Sequence, residues 1–440
     1  MTVLNPAPSA PPRTVASAAP ARDRSIDLVR AFCITIVVVL HALMVGVAVD
    51  PDGVTFFDAS AGSAWLVPLS WVFQVMPLFF VVGGFSGHLA YRRLRDAGGT
   101  VSDFVTARAR RLLLPAALAV GVVGVLLVLL GLLSVPEEFV ATARFRFGQP
   151  LWFLGAFLLC QALLPALVHA HERAPRSTLL ALIGASVVVD LSRSLSGVEA
   201  IGYLNLAFVW LALQQIGFFL ARGDIDRLTP RRRLGGALLA ITLLATSFLV
   251  GAHSPDLIAN LNPPTTALLF VGLAHTLLFS LARPMIARFA QLPVPAAFTG
   301  FVTRRAMTVY LWHMPVLLGM AGVLAGCIVV TGGSLPPVGG LDWWLSRPLW
   351  LAVALALTAV VAILPARIEI VRAQALSVPP GRAAAGTVIG LLAVVLLLAT
   401  GSSVPTVLAS AGLLLVALRI LRARRRVRTA GGTDQTRSRA

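Results

Sequence analysis

Lysine is absent from this chain of 440 residues, so all 36 of its basic side chains are arginines. Acid is scarce too, at 18 Asp plus Glu, and the formal net charge is +18 although only 12% of residues are charged. The three cysteines, Cys33, Cys160 and Cys327, each fall inside an apolar run, which excludes a disulfide framework and a structural zinc site. The first 21 residues are rich in Pro, Ala and Ser and lack the apolar stretch of a signal peptide, so they are expected to be a disordered cytoplasmic tail. No carboxylate–histidine cluster occurs at ligand spacing, so no metal is expected.

Apolar sequence is abundant instead. With 58% hydrophobic residues and a mean hydropathy of +0.87, the composition excludes an ordinary soluble domain and points to an all-α, polytopic integral membrane protein. Twelve runs approach or reach bilayer length: 26–49, 66–90, 112–134, 151–169, 178–192, 201–220, 234–252, 265–281, 305–330, 348–365, 383–400 and 404–421. The fifth is the weakest, short and closed by Asp190 and Arg193.

The loops between these runs alternate in charge. Arginines fill one set, including Arg92, Arg93, Arg95, Arg108, Arg110, Arg111, Arg222, Arg227, Arg231 to Arg233, Arg283, Arg288, Arg304 and Arg305. The other set carries Asp50, Asp52, Asp58, Glu137, Glu138, Glu199, Asp256 and Asp342, and among its members only Arg144, Arg146, Arg193 and Arg347 are basic. Basic loops stay cytoplasmic, so both termini are expected in the cytoplasm of a multi-pass cell-membrane protein. The arginines are thus topology determinants and not a nucleic-acid face.

Within the first run stand Arg30 and His41. At ~1.5 Å and ~100° per residue, eleven steps are about three turns, so the pair shares one helix face at roughly 16 Å separation. Intramembrane charge costs on the order of 3 kcal/mol by insertion scales and rarely persists without a task. A cation near the cytoplasmic end and an imidazole toward the far leaflet suggest a site for a phosphate-bearing, acyl-carrying substrate. The extended arm of a coenzyme A thioester has about the required reach.

These residues belong to a stretch, "RSIDLVRAFCITIVVVLHALM", that resembles the first helix of the membrane-bound acyltransferase-3 family in its Asp27, Arg30 and His41. Four further segments resemble that family in order: "MPLFFVVGGFSG" (76–87), "FVTARARRLLLP" (104–115) with Arg108 and Arg111, "PLWFL" (150–154) with Trp152, and "MTVYLWHMPVL" (307–317) with His313. Two places depart: Gly83-Gly84 stands where the family often has Ser before the glycine, and Met307-Thr308 where Ser-Tyr is common. The resemblance implies a ten-span acyltransferase core at 24–365, preceded by the tail 1–23. Two additional spans (366–421) and a basic cytoplasmic tail (422–440) follow it.

The same resemblance implies transfer of an acyl group, acetyl or similar, from cytoplasmic acyl-CoA to a hydroxyl of an envelope glycan, glycolipid or secondary-metabolite sugar. Acyl-CoA, first of all acetyl-CoA, enters as donor substrate, and no bound cofactor is expected. His41 is the candidate catalytic group, either a base for the acceptor hydroxyl or itself acylated, against the plainer reading of an interhelical hydrogen-bonding histidine. Arg30, with Asp27 to orient it, is the candidate phosphate ligand, and it also suits a snorkelling anchor. Arg108 and Arg111 suit CoA or anionic lipid equally. Trp152 is an interfacial aromatic or part of an acyl channel, and His313 is a second candidate for the polar site. The competing class is a twelve-span transporter using Arg30 and His41 for an anion or a proton relay, but the second half of the chain holds no counterpart of that pair.

Overall fold

A computed structural model describes residues 23–50, 53–133, 135, 137–148, 151–365 and 378–422. The tails expected at 1–23 and 422–440 lie outside the described residues except for Asp23 and Arg422. The chain is an all-α polytopic membrane bundle. Among the described residues eleven segments are long and apolar enough to cross a membrane, and a shorter apolar helix, Val404–Ile420, follows them.

Asp23 caps the first helix, α1 (Arg24–Met44), accepting from the backbone amides of Ser25 (3.0 Å) and Ile26 (3.2 Å). The helix ends earlier than its hydropathy suggests. Val45–Asp50 (β1) and Gly53–Asp58 (β2) pair antiparallel, Val45 opposite Asp58 and Asp50 opposite Gly53. Their β-branched and aromatic residues suit a pleated hairpin, so the run 26–49 is corrected to a helix plus a strand. His41 therefore stands in the last turn of α1.

The second run also divides, into α2 (Leu66–Phe73) and α3 (Met76–Asp96), with Pro77 in the first turn of α3 where its missing amide hydrogen costs nothing. Then come α4 (Val101–Leu132), α5 (Glu137–Gly148), α6 (Leu151–Arg173), α7 (Pro175–Ser196), a 3-10 turn (Glu199–Leu204) and α8 (Asn205–Ala221). The order continues with α9 (Pro230–Leu249), α10 (Ala267–Phe289), α11 (Pro293–Arg304), α12 (Ala306–Thr331) and α13 (Leu341–Ile363). The last two helices are α14 (Pro380–Thr400) and α15 (Val404–Ile420).

Helix α4 starts eleven residues before the expected run, because a capping box between Thr100 and Asp103 nucleates it. Arg108 and Arg111 are thus helical and not in a loop. Helix α7 continues past Asp190 and Arg193 to Gly197, whose left-handed backbone (φ 68°) caps it. Asp190 does not end the helix. It accepts from Asn205 Nδ2 and from the Thr266 amide and hydroxyl, each at 2.8 Å.

Polar ties show which helix ends lie together. Arg95 at the end of α3 makes a bidentate pair with Glu172 at the end of α6 (2.8 and 2.9 Å), and Arg283 near the end of α10 pairs with Asp23 (2.5 Å). At the opposite end Trp71 and Gln74 donate to the carbonyls of Pro255 and Leu257 (3.1 and 2.7 Å). The arginine-rich connections gather at the first end, in keeping with the alternation read from the loops.

A close helix contact joins α3 and α8. A Cβ built on Gly84 would lie 2.2 Å from the Gln214 carbonyl oxygen, and one on Gly217 2.1 Å from that of Val81. Without a hydrophobic drive between helices in lipid, such backbone proximity supplies the packing. Gly217→Ala should therefore lower the unfolding temperature in detergent by several degrees, from overpacking of about 1–3 kcal/mol. Gly121→Ala, where a Cβ meets nothing within 4 Å, should not; equal melting of the two variants would refute this account.

Asp23 makes a second test. Burial opposes its charge, but hydrogen bonds from Arg283 and Ser25, the Arg283 charge and the Ile26 amide offset this and hold its pKa below the ordinary value. A lowered folded pKa stabilises above the unfolded value, about 3.9, and the contribution disappears as pH falls through the folded one. Asp23→Asn should melt below wild type at pH 7, with the gap closing as pH drops from 5 toward 3. A gap that persists unchanged at pH 3 would mean that the carboxylate charge is irrelevant.

Candidate active site

Helix α1 is the backbone of the site. Its Arg30 donates to Asp27 Oδ1 one turn earlier (3.4 Å) and to the hydroxyl of Ser86 on α3. The Arg30 side chain is about a quarter exposed, at 24%, so it is oriented by these partners without being sealed from a ligand. Arg108 lies within electrostatic range of both Arg30 and Arg111, and its guanidinium sits over the Phe104 ring at 5.1 Å. Arg108 is half-buried and Arg111 exposed. The bundle thus places a graded set of guanidinium groups at its basic end, the chemistry that suits phosphate oxygens.

The other end of α1 holds imidazoles. His41 and His313 of α12 come together with ring centroids 4.9 Å apart. His41 Nδ1 bonds the Val37 carbonyl oxygen (2.8 Å) and His313 Nδ1 that of Tyr310 (2.5 Å). A carbonyl oxygen only accepts, so each Nδ1 must carry the hydrogen, and each neutral ring keeps its lone pair on Nε2. His313 is fully buried, and its Nε2 has no hydrogen-bond partner among the described residues. Two basic nitrogens are therefore available inside the protein at the same level of the bundle.

A partly buried ion pair flanks them. Arg146 of α5, 6% exposed, bonds Asp58 at the end of β2 (3.3 Å), and both charges act on His41 at electrostatic range. Between the two poles runs an aromatic layer. Tyr310 packs on His313 (5.7 Å) and on Phe153 (4.6 Å), and Phe153 continues to Phe79, Phe80 and Phe157. Trp152 stacks on Trp210 at 5.9 Å, one layer away from the histidines.

Of the residues singled out from sequence, the structure joins Asp27, Arg30 and Arg108 at one pole and His41 and His313 at the other. Arg111 stands at the margin of the first pole and Trp152 outside the second. Gln214 and Gln215 are interhelical donors, as intramembrane amides generally are, Gln74 donates to a carbonyl of the loop before α10, and Gly83, Gly84 and Gly87 sit against neighbouring helices. Ser86 and Arg146 were missed as partners. The departure at Gly83-Gly84 draws attention to a lost hydroxyl, while Ser86, within the same segment, supplies one to Arg30. For Arg146 a signal existed, since it is one of the rare arginines on the acidic side of the alternation.

No curated protein and no solved structure matches the chain. Comparison with protein families matches residues 23–367, a range that contains both poles, to acyltransferase-3, described as an acyltransferase domain. The matched range ends before α14 and α15, so those two helices lie beyond the family domain. That match covers well over half of the chain and favours the enzyme over the transporter: the protein belongs to the acyltransferase-3 family of membrane acyltransferases.

Proposed function

We propose that this protein is an O-acyltransferase that takes an acyl group, acetyl or similar, from acyl-CoA on the cytoplasmic side. It passes the group to a hydroxyl of a cell-envelope glycan, glycolipid or secondary-metabolite sugar. The observation that carries this reading is the paired Nε2 lone pairs of His41 and His313 at one end of the helix whose other end presents Arg30. The arginine bias of the loops supports cytoplasmic placement of the basic end.

In this scheme Arg30, oriented by Asp27 and Ser86, and Arg108 hold the donor's phosphates, with Arg111 at the mouth. The separation of about 16 Å along α1 suits the extended arm of the thioester. His41 Nε2 accepts the proton of the acceptor hydroxyl as its oxygen attacks the thioester carbonyl. The ester C–O bond forms, the C–S bond breaks, and the imidazolium returns the proton to the departing thiolate. His313 lies close enough to share or orient that proton. The Val37 carbonyl favours His41 as a base through Nε2 by holding the hydrogen on Nδ1, and the Asp58 carboxylate lies within electrostatic range of a proton gained there. The same lone pair would serve as nucleophile in a two-step transfer.

The test is transfer from radiolabelled acetyl-CoA to a panel of hydroxyl acceptors by purified protein in lipid nanodiscs. His41→Ala should lose about 10²–10⁴ in kcat with donor affinity retained, the range for a general base. Arg30→Ala should raise the donor KM by roughly tenfold or more, as expected for a lost charged hydrogen bond, and lower kcat less. Full transfer by His41→Ala, or absence of acyl-CoA binding by wild type, would defeat the proposal.

A further inference from the structure

Each of the four arginines on the acidic side of the alternation has a definable environment. Arg144 pairs with Glu137 (2.6 Å), Arg146 with Asp58 (3.3 Å) and Arg193 with Glu199 (3.8 Å). Arg347, in the second turn of α13, has no carboxylate within ion-pair distance among the described residues. Its guanidinium instead lies over the ring of Trp343 at 4.5 Å and that of Trp350 at 5.4 Å. Its Nε donates to the Trp343 carbonyl (3.2 Å) and one terminal nitrogen to Ser346 Oγ (3.0 Å). The other terminal nitrogen has no bond recorded among the described residues. The head is therefore held in place by its neighbours, with donors left over and its charge unneutralised.

That head lines a narrow cleft that is open to the exterior. Its remaining walls are mostly apolar: Val45 and Val47 of the hairpin, Leu324 of α12, and Leu335 and Pro336 before α13. One held cation beside an alkyl-lined wall suits an amphiphile, with an anionic head and a hydrocarbon chain. A wholly soluble anion would leave the apolar wall unused, and a neutral lipid would leave the guanidinium unpaired. The cleft also adjoins the imidazole pole. Trp350 Nε1 donates to the carbonyl of Ala42, the residue after His41, at 2.8 Å.

We infer that the Arg347–Trp343–Trp350 cleft binds the phosphate head of a membrane-embedded lipid, and that this lipid carries the hydroxyl-bearing acceptor to His41. The inference rests on the acyltransfer reading for the acceptor role alone; binding of a lipid phosphate rests on the cleft itself. It narrows the acceptor class from any sugar hydroxyl to one presented on a phosphate-linked lipid.

Farnesyl phosphate, farnesol and inorganic phosphate are suitable probes, titrated into full-length protein in phosphatidylcholine nanodiscs and followed by intrinsic tryptophan fluorescence and native mass spectrometry. Farnesyl phosphate should bind saturably and at least about tenfold tighter than either other probe, as expected when both a charged hydrogen bond and apolar burial contribute. Arg347→Gln should weaken it about tenfold or more, and Arg347→Lys less. Both variants are compared at unfolding temperatures matched to wild type, and with acyl-CoA binding measured in the same samples. Equal binding of farnesol would overturn the inference, as would tight binding of inorganic phosphate alone. It also fails if Arg347→Gln lowers the unfolding temperature but leaves farnesyl phosphate binding intact, which would make Arg347 an interfacial anchor. If acyl-CoA does not bind wild type, the acyltransfer reading fails separately, because the lipid titration does not use the donor.

Discussion

A single rigid rod carries both poles of the candidate site. Arg30 and His41 share helix α1, and a helix has almost no freedom to stretch along its axis, so neither group can be adjusted without moving the other. The rest of the bundle is arranged around that constraint. Near the start of α1, Asp23 is tied to Arg283; near its end, the Ala42 carbonyl receives Trp350 and the chain turns into the hairpin. With both ends pinned, neighbouring helices need only deliver partner groups at two levels. Helix α3 brings Ser86 and α4 brings Arg108 to the first, while α12 brings His313 and α5 brings Arg146 to the second.

Polar groups inside a bilayer are expensive unless satisfied, and the two poles are satisfied differently. The guanidinium pole is stabilised by a carboxylate and a hydroxyl, and it keeps some contact with solvent. At the imidazole pole each ring spends one nitrogen on a carbonyl of its own helix. That local bond orients the ring, fixes where its hydrogen sits and leaves the other nitrogen uncommitted to its own helix. The aromatic layer between the poles fills space with apolar rings, and the glycine contact of α3 with α8 sets how closely the helices carrying that layer approach.

The second pole also explains why the acidic side of the protein matters. Arginines are rare there, and three of the four are neutralised by carboxylates. Arg146 is buried against Asp58 beside His41. Arg347 is held by indoles at a cleft whose wall touches the same turn of α1. The hairpin links these features, since β2 supplies Asp58 and β1 lines the cleft.

Much of this was legible before any coordinates. Hydropathy marks the membrane-crossing helices because hydrocarbon demands long apolar stretches, and arginine bias orders their ends. Spacing alone put Arg30 and His41 on one face, because helical geometry is local. Other limits were not visible. Val45 to Val49 are as apolar as a span, yet they pair with Val54 to Asp58 as a strand, which depends on a partner segment. Asp190 looks like a helix end by charge, but Asn205 and Thr266 satisfy it within α7. By itself the sequence determined the class of fold, the alternation of its ends and the axis from Arg30 to His41, all consequences of local periodicity and solvation. Only tertiary structure decided that His313 meets His41, that Ser86 holds Arg30, that Arg146 lies within electrostatic range of His41 and that Arg347 lines a cleft next to the end of α1. Those pairings join residues distant in sequence, and their specificity lies in helix packing, which no local pattern encodes.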